Sequence, residues 1–243
     1  MNETEELRQL IGSSDNIVFF GGAGVSTESN IPDFRSESGL YNAVQKYGYP
    51  PETMLSHTFF EDRPADFYKY YFGELIYADA KPNKAHLALA KLEQQGKLKA
   101  IITQNIDGLH QAAGSKNVLE LHGSVRRNYC MNCRLKYDLD FMLESAPDIP
   151  HCRDCGGIVR PDVVLYEEGL DNDTLDAAIH YISKADVLIV GGTSLVVYPA
   201  AGLIRYFRGR KLVIINKTVT SYDARADLLI NANIGDTLAE CVE

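Results

Sequence analysis

The chain lacks any apolar run near the ~20 residues that a membrane-spanning helix needs. It also lacks a surplus of positive charge: 24 Lys and Arg stand against 33 Asp and Glu, a net charge of −9. Affinity for nucleic acid comes largely from Lys and Arg on phosphates, so this balance disfavours such a partner. It suits basic partners such as lysine-rich peptides, although an acidic surface also serves solubility alone. No basic-then-apolar leader opens the sequence; Met1-Asn2-Glu3-Thr4-Glu5-Glu6 is acidic, and a cytoplasmic location is the expectation. Neither an internal repeat nor a low-complexity segment occurs. At 243 residues, 45% hydrophobic and 23% charged, the composition is that of a soluble protein with one main domain, with or without a smaller module.

Cysteine is scarce but not scattered. Four of the five, Cys130, Cys133, Cys152 and Cys155, fall within 26 residues, and Cys241 stands alone near the end. Disulfides are rare in a reducing cytosol. Two Cys-x-x-Cys pairs with 18 residues between them match a four-thiolate zinc site. Four sulfurs close the tetrahedron and leave no position for water or substrate, so the predicted zinc is structural. His151 adjoins Cys152 and reads as a bystander.

Short apolar, β-branched runs recur at 17–20, 100–103, 118–121, 163–166, 187–190 and 212–215. Most are continuously apolar, the mark of strands buried on both faces of a parallel sheet. Helical stretches lie between many of them. Asn83 reads as the N-cap of a helix that stops at Gly96, and 171–183 and 198–207 are further candidates. This alternation predicts a doubly wound α/β sheet. Residues 36–78, rich in Tyr and Phe with a helix starting near Pro64, and 125–160, with the cysteines, break the pattern.

Small and polar residues succeed the predicted strands: Gly21-Gly22-Ala23-Gly24, Thr103-Gln104-Asn105-Ile106-Asp107, His122-Gly123, Gly191-Gly192-Thr193-Ser194 and Asn216. In open α/β sheets ligands bind outside the carboxyl ends of the strands, so these groups predict one crevice for a nucleotide-sized, phosphate-bearing ligand. Gly22-Ala23-Gly24 is expected to open a helix, either as a site whose N-terminus favours a pyrophosphate or as a tight strand-to-helix turn without ligand. A third glycine is missing, since position 27 is Thr27, and no acid lies ~20 residues on to grip an adenine ribose, which argues against a hydride-transfer enzyme. His122 differs from the other five histidines in its place at a strand end; an imidazole titrating near ~6.5 suits proton removal at neutral pH.

The run Gly22-Ala23-Gly24-Val25-Ser26 leading to Ile31-Pro32-Asp33-Phe34-Arg35 resembles the sirtuin signature. So do Thr103-Gln104-Asn105-Ile106-Asp107, His122-Gly123, the cysteine pairs, Arg160-Pro161-Asp162-Val163-Val164, Gly192-Thr193-Ser194 and Leu195-Val196-Val197-Tyr198-Pro199-Ala200. The likeness spans about residues 10–240 and is that of a minimal, bacterial-type member. It implies a Rossmann-like NAD-binding domain of residues 1–35, 79–124 and 161–243, a helical insertion with a cofactor-binding loop at 36–78, and a zinc-ribbon module at 125–160.

NAD would sit between the α/β domain and the zinc module. By resemblance, Ala23, Thr27, Thr193, Ser194 and Asn216 match contacts to the phosphates and the adenosine half, and Gln104 and His122 match the nicotinamide ribose. Ile106 and Asp107 match the carboxamide, Phe34 the cover over the reacting face, and Arg35 a loop residue that orders the cofactor. His122 would be the catalytic base, with Asn105 supporting catalysis near the ribose. The acyl oxygen of a modified lysine would attack the anomeric carbon as nicotinamide leaves, giving free lysine and 2′-O-acyl-ADP-ribose. Phe34 and Val163 would wall the apolar lysine tunnel, and the peptide would add as a strand between 163–166 and 195–198.

Three positions depart from the family pattern. Asn30 stands where Gly is usual, and Tyr166-Glu167-Glu168 replaces a segment that usually reads Phe-Gly-Glu; Glu167 is expected to favour basic peptides. Tyr41 is followed by Asn42-Ala43-Val44 with no Arg nearby, which favours acetyl or other neutral acyl groups over succinyl. The expectation is a monomeric, NAD-dependent deacylase with a structural zinc, acting on acyl-lysine peptides and not on nucleic acid or membranes. Competing readings are an ADP-ribosyltransferase, a non-catalytic zinc-ribbon binding module and a dehydrogenase.

Overall fold

A computed structural model of the chain describes residues 2–33 and 43–242. A six-stranded sheet is built from β1 (Ile17–Gly21), β2 (Leu98–Thr103), β3 (Val118–Glu120), β7 (Val187–Gly191), β8 (Lys211–Ile215) and β9 (Leu228–Ile230). A second, three-stranded sheet contains β4 (Gly123–Cys130), β5 (Lys136–Tyr137) and β6 (Val159–Val163).

The continuous apolar runs have a simple cause. Side chains alternate across a strand. Ile17 and Phe19 of β1 join one apolar cluster, and Val18 and Phe20 join another. In β8, Val213 and Ile215 likewise part from Leu212 and Ile214. The first cluster is covered by Leu7 and Ile11 of helix Glu3–Gly12, by Leu89 and Leu92 of helix Lys84–Gln94, and by Ile234 and Leu238 of helix Ile234–Cys241. The second is covered by Ala178 and Ile182 of helix Asn172–Lys184 and by Leu203 and Ile204 of the 3₁₀ segment Ala200–Tyr206. Each large side chain so buried contributes roughly 1.5–3 kcal/mol.

The sheet order is β3-β2-β1-β7-β8-β9, with every pairing parallel. The order reverses at β1, so β1 and β7 flank the switch point where such sheets bind ligands. The carboxyl ends are level: Glu120, Thr103, Gly21, Gly191, Ile215 and Ile230 are successive register partners. The expected doubly wound, Rossmann-like sheet with its small cysteine-bearing module is what the chain forms.

The insertion and that module share one core. Phe60, Phe67, Tyr68 and Tyr71 pack in one cluster with Val125, Phe141, Met142 and Val159. The Tyr68 hydroxyl donates to the Val159 carbonyl at 2.7 Å, joining the two polar frameworks inside that core. Among the described residues no helix is long and apolar enough to cross a membrane.

Helix signals fall where the residues put them. The Asn83 side chain accepts from the Ala85 N–H, and the Asn83 N–H donates to His86 Nδ1, a capping box that starts helix Lys84–Gln94. Pro64 opens helix Pro64–Tyr70.

Three expectations need correction. Residues 163–166 are not a strand of the parallel sheet. Val163 ends β6, which is antiparallel to β4, and the segment beyond is held by scattered bonds: Val164 N–H to His122 O, Leu165 N–H to Glu168 Oε2, Tyr166 N–H to Leu55 O. The turn after β1 opens no α-helix; it makes two short 3₁₀ turns, Ala23–Val25 and Thr27–Ser29. Segment 198–207 is 3₁₀ over Ala200–Tyr206. Strand β9 was not expected; its three residues are too few for a period to show.

Candidate active site

His122 stands between the two sheets, after β3 and directly before β4. Its Nδ1 lies 2.9 Å from the Gln104 carbonyl oxygen. A carbonyl only accepts, so Nδ1 carries the proton in the neutral ring and Nε2 is the basic nitrogen. Its backbone is fixed as well: the His122 carbonyl accepts from the Val164 N–H at 3.0 Å. Gly123 makes that placement possible. Its φ is +76°, and a Cβ there would lie 2.0 Å from the Asp162 carbonyl oxygen across the β4–β6 pair.

The loop after β2 is tied to the loop after β1. Ser26 is the joint: its hydroxyl donates to Asp107 Oδ2 at 2.7 Å and accepts from Asn105 Nδ2 at 2.9 Å. The Leu109 N–H holds Asp107 Oδ1 at 2.8 Å. Gln104 reaches the other way, with Nε2 donating to Thr193 Oγ1 at 3.1 Å, and Asn216 Nδ2 donates to the Thr193 carbonyl at 2.9 Å. Four strand ends are thus wired into one polar floor.

The glycines of the two loops at the switch point serve each other. Gly24 N–H donates to Gly192 O at 2.8 Å, and a Cβ on Gly24 would lie 2.8 Å from Gly192 Cα. The N–H groups of Gly24, Val25 and Ser26 are all engaged with backbone carbonyls. Loop-to-loop contact therefore accounts for Gly24 and Gly192 before any ligand is considered.

The cleft has a volume of about 1250 Å³ counting its part open to solvent. Ala23, Gln104, Asn105, Ile106, Asp107, His122 and Val163 all line it. Thr193 and Asn216 are buried behind it, joined through Gln104. Thr27 and Ser194 are exposed outside it, the Thr27 hydroxyl donating to Gly24 O at 3.0 Å. Phe34, Arg35, Tyr41 and Asn42 lie outside the described residues. Asn30 holds φ +62°, so the left-handed turn survives without glycine.

Sequence reasoning gave no role to Ser26, and none to the ion cluster at the cleft mouth. Glu168 takes Arg160 at 2.5 Å, His57 Nδ1 at 2.8 Å and the Leu165 N–H at 2.9 Å. Burial works against its charge, but those three donors hold its carboxyl below the ordinary value. The His57 imidazole is raised, first by its bond to Glu168. Only the acid and base letters in 160–168 hinted at such a cluster.

The four cysteine sulfurs of the ribbon lie within 4.8 Å of one another, with Cys130 to Cys155 at 3.4 Å and Cys133 to Cys152 at 3.6 Å. Sulfurs at ~2.3 Å from one ion stand at this kind of spacing, so the donor set fits a tetrahedral zinc. Cys241 is apart and buried, its thiol directed at Thr4 O.

Sheet, switch-point cleft and ribbon together define a Rossmann-like α/β protein with an imidazole in its cleft and a four-cysteine module that fits zinc. A family model described as the Sir2 family matches residues 22–199. A protein of Clostridium acetobutylicum named NAD-dependent protein deacetylase is 62% identical, over 98% of this chain and 97% of its own length. A solved structure described as "The Structural basis of Sirtuin Substrate Affinity" matches with TM-score 0.88 and 42% identity, over 99% of this chain and 98% of that one. Another, "Sir2-p53 peptide-NAD+", matches with TM-score 0.84 and 42% identity, over 98% and 96%. The chain belongs to the Sir2 family.

Proposed function

We propose that the protein is an NAD-dependent protein-lysine deacetylase, or deacylase for neutral acyl groups, yielding nicotinamide, 2′-O-acyl-ADP-ribose and free lysine. The observation that carries this is the His122 imidazole, proton-fixed by the Gln104 carbonyl, in one cleft with Asn105, Ile106 and Asp107. Relatives of high identity bear the deacetylase name, and a similar structure holds a peptide together with NAD.

When bound, NAD supplies an electrophilic anomeric carbon with nicotinamide as the leaving group. The chain's own residues do the rest. Nε2 of His122 takes the ribose hydroxyl proton, a role open to it because Nδ1 is committed to Gln104. Asp107 and Asn105 are pre-oriented by Ser26, so the carboxamide and ribose meet fixed groups. Ala23, Thr27, Thr193, Ser194 and Asn216 serve the phosphate and adenosine half, and the resemblance to the family assigns Phe34 and Arg35 to the reacting end. Val163, Leu165 and Ile106 give an apolar passage for a neutral acyl-lysine and keep water from the reacting carbon. The peptide adds between 163–166 and 195–198. The division into 1–35, 79–124 and 161–243, 36–78, and 125–160 belongs to the same reading, as does a monomer acting in the cytoplasm.

The test is to incubate the protein with NAD and an acetyl-lysine peptide and weigh both products by mass spectrometry. Loss of the acetyl mass with release of nicotinamide is expected. A peptide that gains ADP-ribose would replace deacylation with transfer, and absence of NAD turnover would overturn the reading. His122→Ala should lower turnover by about 10²–10⁴-fold with the melting temperature kept.

A further inference from the structure

Four carboxylates line the cleft, Glu74, Asp107, Glu167 and Glu168, and no Lys or Arg does among the described residues. Three of the four are answered from within the protein. Glu74 takes Lys46 Nζ at 2.6 Å, and Glu168 takes Arg160 and His57. Asp107 is half-buried and spends its two oxygens on Ser26 and the Leu109 N–H. Glu167 differs. It is exposed at the opening, and its Oε2 accepts from the Thr58 N–H at 2.9 Å and the Thr58 hydroxyl at 2.7 Å, with no Lys or Arg paired to it among the described residues. Its backbone sits at φ +76°, a conformation that disfavours any side chain larger than glycine's. A strained position that keeps a charged residue points to a use for the side chain.

Beside it Tyr198 is 67% exposed and faces the same cleft next to Pro199. An acylated lysine is neutral and suits the interior formed by Ile106, Val163 and Leu165. Its neighbours along the peptide stay at the opening, where Thr58 holds one anionic side chain in place.

We propose that Glu167 is a specificity-determining residue that selects acyl-lysine sites flanked by Lys or Arg over sites flanked by Glu or Asp. This rests on the deacylase function proposed for the same cleft. The fixed carboxylate attracts a cationic neighbour and repels an anionic one. Thr58 keeps it from swinging away, so little ordering is left for the peptide to bring about.

The experiment measures kcat/KM, with NAD saturating, on three acetyl-lysine peptides whose neighbouring residues are Lys, Gln or Glu. The wild-type protein should favour the Lys peptide over the Glu peptide by about threefold to tenfold, the scale of one exposed charge acting on a reversal of sign. Raising the salt to about 0.5 M should shrink that ratio. Glu167→Gln keeps an oxygen for Thr58 and removes the charge, so the ratio should fall to about one. Glu167→Lys should invert it. A wild-type ratio near one, or a Glu167→Gln ratio equal to wild type, overturns the inference alone, because deacylation itself would still be seen. No NAD-dependent loss of acetyl from any of the three overturns the deacylase function and this inference with it.

Discussion

Removing one oxygen atom from the ribbon tests whether its metal site depends on more than its four sulfurs. The Tyr137 hydroxyl donates to Cys152 Sγ at 3.1 Å and accepts from the Arg153 N–H at 2.9 Å. A phenol has one proton, and with Arg153 filling an acceptor position that proton is directed at the sulfur. The ring is held by stacking on Phe141, with centroids 3.9 Å apart. Tyr137→Phe keeps the stack and deletes the donor. The Arg153 N–H left behind is at the surface, where water replaces the lost oxygen. A bound metal makes the sulfur a thiolate, and a hydrogen bond to a charged group contributes about 1.5–3 kcal/mol. At 1.4 kcal/mol per tenfold, zinc affinity should fall by about 10–100-fold, the range seen when outer partners of metal ligands are removed. Competition against a chromophoric chelator, with far-ultraviolet circular dichroism as the control for folding, measures it. An affinity within about twofold of wild type would refute the assigned hydrogen bond.

Two further perturbations test the backbone beside His122 and a buried pair of imidazoles. Gly123→Ala places a methyl 2.0 Å from the Asp162 carbonyl at φ +76°, so β4 must move away from β6. The left-handed conformation alone costs about 1–2 kcal/mol, and at ~2–4 °C per kcal/mol the melting temperature should drop by at least ~2 °C, with turnover falling too because His122 is the adjacent residue; an unchanged melt would show the close approach is not real. His86 and His110 are buried with ring centroids 4.7 Å apart, and burial lowers their pKa to about 4 and about 3 from 6.5. The unfolded chain therefore binds protons that the folded one refuses: stability is full above pH ~6.5 and falls as the pH drops towards 4, by at most about 1.4 kcal/mol per pH unit for each ring. Urea unfolding at pH 7, 6 and 5 should show that slope, and His110→Leu should remove about half of it; an identical slope in the variant would rule out this source.

The sheet was readable because its strands bury both faces. The run from Ile17 to Phe20 has to be apolar throughout when Phe19 and Phe20 enter different clusters. The same logic misled at 163–166. An apolar run shows burial, not pairing, and the partners of this one, Leu55, His122 and Glu168, come from three separate segments. The cysteine spacing was legible because it constrains geometry directly. Ser26 was not, since its use depends on Asp107, 81 positions away. Gly24 marked a close approach of backbone, and sequence alone could not say whether the second party was a phosphate or, as found, the backbone of Gly192.

The ribbon cannot take part in the reaction through its metal, because four protein sulfurs leave an ion no position for substrate. Its link to the chemistry is β4. That strand begins at Gly123, next to His122, and ends at Cys130, among the ribbon sulfurs. Its partner β6 ends at Val163, in the wall of the cleft, and the next N–H, that of Val164, holds the His122 carbonyl. The large sheet fixes the ring of His122 through Gln104, and the small sheet fixes its backbone through Val164. A side chain held in this way keeps its place at the rim of the large sheet only while both sheets keep theirs. A closed metal site at the far end of β4 can therefore matter to the proton transfer proposed for His122 without coordinating anything that reacts.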